Sequence, residues 1–370
     1  YIIEAANIKR VIAFDHLASN LPNSCETHLW GRLTETFVTL PTSSPDVSVS
    51  PDQLLYLIFT SGSTGKPKGT GAYHRSEINL LNWYCGEFNM TAQDKLLLLS
   101  AIGFDLTQKN LFAPLMVGAC VVIPEFQEYD SQLIASLIER QQVSWVNCAP
   151  SAFYPLQDEP HNWNQLNSLR LLFLGGEAIN LSRLQPWLDR SACQLINSYG
   201  PTECTDIATW YPVNVSADVG SPALPIGRPN YNVKLYVLGD NLELLPIGAI
   251  GELCISGAGV GPGYINNQEQ TQAAFVSNPF DSDQPRLYKT GDRVRYRAKG
   301  LIEYLGRKDH QLKIRGYRVE AGEIQGVINT QPGVKESLVS LITDDNAVQR
   351  LVAWVVCSKE VDENDLQSAC

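Results

Sequence analysis

Short, strongly apolar runs separated by amphipathic stretches dominate the first half of the chain. Residues 9–14 (KRVIAF), 54–60 (LLYLIFT), 95–100 (KLLLLS), 119–124 (ACVVIP), 143–148 (VSWVNC), 169–174 (LRLLFL) and 194–197 (QLIN) read as buried strands. Segments 131–140 and 182–190 between them suit crossover helices. Strands and helices in alternation predict an α/β fold whose largely parallel sheets are covered on both faces. Beyond about residue 210 the texture changes. Residues 233–238, 251–256 and 301–304 are strand-like and divided by Gly, Pro and Asn turns, which predicts an antiparallel β-rich subdomain. A strand at 311–315, a helix from Glu320 and an apolar strand at 351–356 then predict part of a small α+β domain. The expected organisation is a large domain over 1–308, then a hinge and the beginning of a small lid domain over 309–370.

Composition narrows the field of functions. The chain has 370 residues, 28 Lys and Arg against 39 Asp and Glu, and a formal charge of −11. That balance argues against a nucleic-acid partner, which wants a basic face, while leaving room for a local basic pocket around one nucleotide. Nine cysteines occur singly, with no Cys-x-x-Cys pair, so free thiols in a reducing compartment are expected rather than a disulfide framework. No signal peptide opens the sequence, and no apolar run approaches the ~20 residues of a membrane span. A cytoplasmic, membrane-free protein is the expectation. The five histidines form no metal-binding spacing.

Candidate chemistry concentrates in Thr60-Ser61-Gly62-Ser63-Thr64-Gly65-Lys66-Pro67-Lys68-Gly69, directly after an apolar strand. Glycines let backbone amides approach a ligand, and hydroxyls with two ammonium groups suit a polyphosphate. It is not a Walker loop, because Pro67 follows Gly65-Lys66 and Thr60 stands where the first Gly belongs. Nor is Gly257-Ala258-Gly259-Val260-Gly261-Pro262 a dinucleotide fingerprint, with Pro in place of the third Gly.

The run resembles the phosphate-binding signature of the adenylate-forming superfamily, which includes acyl-CoA ligases, luciferases and the adenylation domains of nonribosomal peptide synthetases. Further motifs follow in that family's order. Asn197-Ser198-Tyr199-Gly200-Pro201-Thr202-Glu203 is similar to its adenine-and-metal motif, Tyr288-Lys289-Thr290-Gly291-Asp292 to its ribose motif, and the stretch from Gly306 to Glu320 to its crossover motif. Gly251 to Gly257 with Gly263-Tyr264 matches a further segment, read as scaffold. The resemblance implies catalytic contacts to ATP from Thr60, Lys68, Thr202 and Glu203. It implies nucleotide binding by Ser61, Gly62, Ser63, Thr64, Gly65, Lys66, Tyr199, Asp292 and Arg307, and a Mg²⁺ held by Glu203. Asp309 becomes the hinge, and Gly316 part of the loop facing the carrier's phosphopantetheine.

Gly103-Phe104-Asp105 points to the amino-acid-activating branch, where the Phe-Asp pair sets one carboxylate on the substrate's α-ammonium. A carboxylate opposite a cation in a partly dry pocket gives affinity and orientation together; a plain helix N-cap is the blander reading of Asp105. Carried across, the family's pocket positions are Leu106, Lys109, Ser151, Phe173, Gly175, Ser198, Asp206 and Ile207, beside Phe104 and Asp105. Lys109 is the departure, since bulky apolar residues are common there. It would pair a substrate carboxylate, or pair Asp206, or snorkel to water. The expected substrate is a polar or acidic amino acid rather than a large aromatic one.

The implied reaction is amino-acid activation by ATP to an aminoacyl-adenylate, then transfer to a peptidyl carrier protein among neighbouring synthetase domains. Competing readings are an acyl- or aryl-CoA ligase of the same superfamily and a non-catalytic nucleotide-binding remnant. The family also has residues before the position of Tyr1 and a later Gly-Lys motif not found here, so impaired adenylation by these 370 residues alone is a further expectation.

Overall fold

This computed structural model of the protein describes residues 1–62, 67–126, 128–221, 223–309, 311–314, 317–343, 349–358, 361–362 and 366–368. The chain opens with α1 (Ile2–Ala5), β1 (Arg10–Ala13), β2 (Glu26–Leu29) and α2 (Trp30–Phe37), with β1 and β2 parallel. The next strands, β3 (Leu54–Thr60) and β4 (Lys68–Tyr73), form an antiparallel hairpin whose connection is the Gly-rich loop. Residues 54–60 thus differ from the buried strand expected. Only Ile58 is buried among them, because β4 is their sole strand partner among the described residues.

The central layer follows. After α3 (His74–Glu87) come β5 (Lys95–Leu97), α4 (Asp105–Val117), β6 (Cys120–Val122), α5 (Ser131–Gln141), β7 (Trp145–Cys148), α6 (Pro150–Gln157), β8 (Leu171–Gly175), α7 (Leu181–Leu188) and β9 (Gln194–Tyr199). With β10 (Thr209–Pro212) and β11 (Arg228–Pro229) they build one seven-stranded sheet in the order β11-β10-β9-β8-β7-β5-β6. The five strands from β5 to β9 run parallel, and β10 and β11 close one edge antiparallel.

Alternation along these strands sends successive side chains to opposite faces. Val146, Leu172, Leu174 and Leu195 pack with α5, α6 and α7 on one face. Trp145, Leu171, Phe173 and Ile196 pack with α3 and α4 on the other. Two covered faces explain why these strands read as unbroken apolar runs. Local signals set the crossover helices: Asp130 caps α5 by accepting from the Gln132 and Leu133 amides, and α4 ends at Gly118 with φ +74°.

The chain moves from β5 outward to β6, then returns past β5 to β7, β8 and β9. Strand order therefore reverses between β5 and β7, and a crevice opens there at the carboxyl ends of the strands.

A second sheet contains β12 (Val233–Leu238), β13 (Ile250–Gly257), β14 (Phe275–Ser277), β15 (Arg286–Tyr296) and β16 (Ile302–Arg307), all paired antiparallel. Its core includes Tyr199 and Cys204, so it leans on the end of β9. The last described portion holds the hairpins β17 (Gln311–Ile314) with β18 (Tyr317–Glu320) and β19 (Val334–Thr343) with β20 (Gln349–Cys357), plus a helix at Ala321–Asn329. The eight described cysteines are all free, and among the described residues no helix is long and apolar enough to cross a membrane.

Candidate active site

A cavity of about 380 Å³ occupies the crevice. Several segments converge on it. The end of β3 and the residue after it bring Thr60 and Ser61; the turn into α4 brings Gly103, Phe104, Asp105 and Leu106; β8 and β9 end in Gly175, Ser198 and Tyr199. Thr202, Asp206 and Ile207 come from the loop after β9, and Asp292 and Arg307 from the second sheet. Thirteen of the expected site residues (Thr60, Ser61, Phe104, Asp105, Leu106, Gly175, Ser198, Tyr199, Thr202, Asp206, Ile207, Asp292 and Arg307) therefore border one space.

Tight backbone packing makes that convergence possible. A Cβ on Gly200 would lie 1.6 Å from the Asp206 carbonyl oxygen, and one on Gly175 would lie 2.6 Å from Ser198 Oγ. Only glycine permits these approaches. They let the loop after β9 fold back against the strand ends.

The remaining expected residues sit elsewhere. Phe173 is fully buried among Tyr84, Phe88 and Trp145, in the aromatic core behind the cavity. Ser151 gives its backbone N–H and its hydroxyl to Glu177, away from the lining. Glu203 is fully buried, and its Oε1 accepts a 2.7 Å hydrogen bond from Tyr264 Oη; the Lys68 ammonium lies 4.7 Å from the centre of the same ring. Gly62 is buried next to Ser61, and Asp309 is half-exposed. Ser63, Thr64, Gly65, Lys66 and Gly316 lie outside the described residues.

Asn147, Cys148, Gly176, Tyr288, Thr290 and Gln311 also line the cavity and were not singled out as site residues. Tyr288 and Thr290 lie inside the motif that ends at Asp292, so proximity in sequence carried a signal for them. Asn147 carried a weaker one, as the polar residue in an otherwise apolar strand.

At the second-sheet end, Asp292 accepts from two donors. Arg307 Nη1 reaches its Oδ1 at 2.9 Å, and the Tyr199 hydroxyl bonds its Oδ2. Arg307 also forks onto Asp309 through Nε and Nη2, at 2.6 and 2.7 Å, and its Nη1 donates to the Thr290 carbonyl at 3.1 Å. Burial, reinforced by Asp292, drives the Tyr199 phenol well above its usual range, so it remains a donor.

At the opposite end, Lys109 is fully buried and its ammonium sits 2.6 Å from Asp206 Oδ2. Burial without access to water removes the snorkelling reading. Asp105 accepts the Leu106 amide at 2.8 Å and a hydrogen bond from Thr202. Desolvation, with the Asp206 charge adding, raises its carboxyl to about 6 against the opposing pull of Thr202, the Leu106 amide and Lys109. Among the described residues Asp105 makes no ion pair, and it borders the cavity.

Parallel strands ending at a reversal in strand order, with aromatic, acidic and hydroxyl groups gathered on the crevice, define a nucleotide-binding α/β class. Comparison with known proteins makes that class specific. A family profile for the AMP-binding enzymes matches residues 1–265, and the chain belongs to that family. It is 35% identical over 99% of its length to a dimodular nonribosomal peptide synthase of Bacillus subtilis, and 35% identical over 100% to gramicidin S synthase 2 of Aneurinibacillus migulanus. The chain spans only 15% and 8% of those two proteins. Among solved structures, the adenylation–PCP fusion NpsA-ThdA from Klebsiella oxytoca superposes with a TM-score of 0.87 at 25% identity, over all of this chain and 72% of that one. The Vibrio cholerae adenylation domain AlmE, in complex with glycyl-adenosine-5'-phosphate, gives 0.80 at 27% identity, over all of this chain and 70% of that one. The α/β layered fold expected from the sequence is the fold of these adenylation domains.

Proposed function

We propose that this chain activates an amino acid with ATP, forming an aminoacyl-adenylate and pyrophosphate, and delivers it to the phosphopantetheine thiol of a peptidyl carrier protein within a cytoplasmic nonribosomal peptide synthetase. The observation that carries the reading is the shared cavity: Thr60 and Ser61 from the strand leading into the Gly-rich loop border the same space as Asp105. A phosphate group and an ammonium held at those places bring both reactants within one crevice.

Each role follows from chemistry at a named position. Asp105 takes the α-ammonium and so orients the carboxylate toward the α-phosphorus. Thr60, Ser61 and Thr202, which border the cavity, meet the phosphates; the same role is proposed for Gly62, Lys68 and the loop residues Ser63 to Lys66 on the family resemblance. Tyr199 offers a face to adenine, while Asp292 and Arg307 hold the ribose. Asp309, already tied to Arg307, serves as the hinge between activation and transfer. Glu203 would hold Mg²⁺, since such an ion is held by one or two carboxylates plus substrate phosphates. When bound, the ion neutralises charge on the phosphate oxygens.

A polar side chain is the substrate we favour. Lys109 is already neutralised by Asp206 at 2.6 Å, which supports a polar substrate over an acidic one. The test is ATP–pyrophosphate exchange with a panel of amino acids and with fatty and aryl acids. Amino-acid-dependent exchange that falls by about a hundredfold or more in Asp105→Ala is expected. Exchange driven by fatty or aryl acids instead would overturn the reading.

A further inference from the structure

Asp292 enters the cavity from an irregular stretch of β15, and the group that holds this stretch lies outside the cavity. Glu252 and Cys254 of β13 pair with Arg293 and Lys289 of β15, so a two-residue step faces a four-residue one. The surplus residues form a bulge over 290–292. A bulge re-aims side chains and gives up ladder hydrogen bonds, and each amide released must find another acceptor. The Asp292 N–H donates to Thr290 Oγ1 at 3.0 Å, and the Thr290 hydroxyl donates to the Leu253 carbonyl at 2.8 Å. The Gly291 N–H donates to Glu252 Oε1 at 2.9 Å. Gly291 has φ +75°, and a Cβ on it would stand 2.7 Å from Arg307 Nη2, so the bulge passes close against the arginine that meets Asp292.

The other carboxylate oxygen of Glu252 faces the end of β16. Lys308 Nζ donates to Oε2 at 3.2 Å and to Asp240 Oδ1 at 2.9 Å, while the Lys308 N–H donates to the Gly291 carbonyl at 2.8 Å. Asp240 is exposed, and water screens its pull on the ammonium; Glu252 is only 7% exposed. One buried carboxylate therefore joins β13, the bulge that carries Asp292, and the residue directly after Arg307. Removing it would leave the Gly291 N–H without its acceptor and Lys308 with a surface partner alone.

Resting on the reading that Asp292 and Arg307 hold the ribose, we infer that Glu252 is a positioning residue for ATP. It stands outside the cavity lining and acts through others. Through Gly291 it pins the bulge, and through Lys308 the end of β16, so that Asp292 and Arg307 meet the nucleotide already aligned.

Exchange assays on the full-length synthetase, with ATP and the amino acid varied in turn, test this role. Glu252→Ala is expected to raise the KM for ATP by about fivefold while the KM for the amino acid stays within about twofold. Glu252→Gln keeps an acceptor for Gly291 and is expected to recover most of that loss. Because Glu252 acts through Arg307 and Asp292, combining Glu252→Ala with Arg307→Ala should raise the KM for ATP by less than the product of the single effects. A Glu252→Ala variant that loses kcat with both KM values unchanged overturns the inference, since a smaller folded fraction does the same. So does an equal rise in both KM values, or a double variant whose effects multiply in full. Should Glu252→Ala fail to fold, as thermal unfolding would reveal, Lys308→Met is read in its place: a rise of about threefold in the KM for ATP supports the role, and an unchanged value overturns it. Arg307→Ala with an unchanged KM for ATP defeats the ribose reading and this inference with it. A raised value there beside a silent Glu252→Ala defeats the inference alone.

Discussion

The two ends of the crevice handle buried charge in opposite ways. At the second-sheet end every charged group is saturated: Asp292 accepts from Arg307 and Tyr199, and Arg307 is forked onto Asp309 and the Thr290 carbonyl. At the other end Lys109 and Asp206 form one short pair, while Glu77 has no hydrogen-bond partner among the described residues. The saturated end lies where β15 and β16 pair, just before Asp309. The unsaturated end sits inside the core between α3, α4 and the loop after β9. A buried charge that is paired in advance costs the fold little, whereas a buried acid left without a hydrogen-bond partner is expensive to keep, so the two ends differ in how much the fold leaves uncompensated.

Substitutions that weigh the two ends against each other sharpen this contrast. The largest effect is expected at the core end: Lys109→Ala strands the Asp206 charge and should lower stability by about 3–5 kcal/mol, read from the urea midpoint at constant slope. A loss under about 1 kcal/mol would mean that Asp206 is solvated after all. At the other end, Arg307→Ala should raise the KM for ATP by about tenfold, or 1.4 kcal/mol, with little change in the urea midpoint, because Asp292 keeps Tyr199 as a donor. An equal loss of stability from both variants would erase the distinction.

The smallest effect is a pH dependence. Only ionised Asp105 attracts an ammonium, and its carboxyl titrates at about 6, so protonation competes with amino-acid binding as pH falls. The amino-acid KM should rise roughly twofold from pH 7 to pH 6 and about tenfold by pH 5. An unchanged KM across that window would argue that Asp105 does not meet the ammonium.

Much of this protein was legible along the chain. Residues 54–60 and 233–238 are strands over the bounds the apolar runs gave, and the crossover helices agree within a residue or two. The central-sheet runs, covered on both faces, declare themselves because nothing in them needs to face water, and 54–60 reads the same way although only Ile58 in it is buried. Strands β4 and β10 did not, since Gly, Thr, Trp and Pro there carry no period-two pattern and their pairing is set by the strands beside them.

The site divides along the same line. Its motifs, from the Gly-rich loop to the pair at Asp292 and Arg307, are local strings, and it is their resemblance to the adenylate-forming family that suggested phosphate, ribose and ammonium partners. By itself the sequence determined the α/β class and the residues in those strings. It left Lys109 with three partners and gave no reason to notice Glu77, which reads as an ordinary acidic residue in the first turn of a helix. Only tertiary packing decided that Lys109 meets Asp206, that Phe173 turns into the aromatic core, and that Glu77 faces inward. The physical reason is that burial and pairing of a charge depend on segments far apart in sequence, here 97 residues between Lys109 and Asp206. No periodicity along one segment records what another segment brings to it.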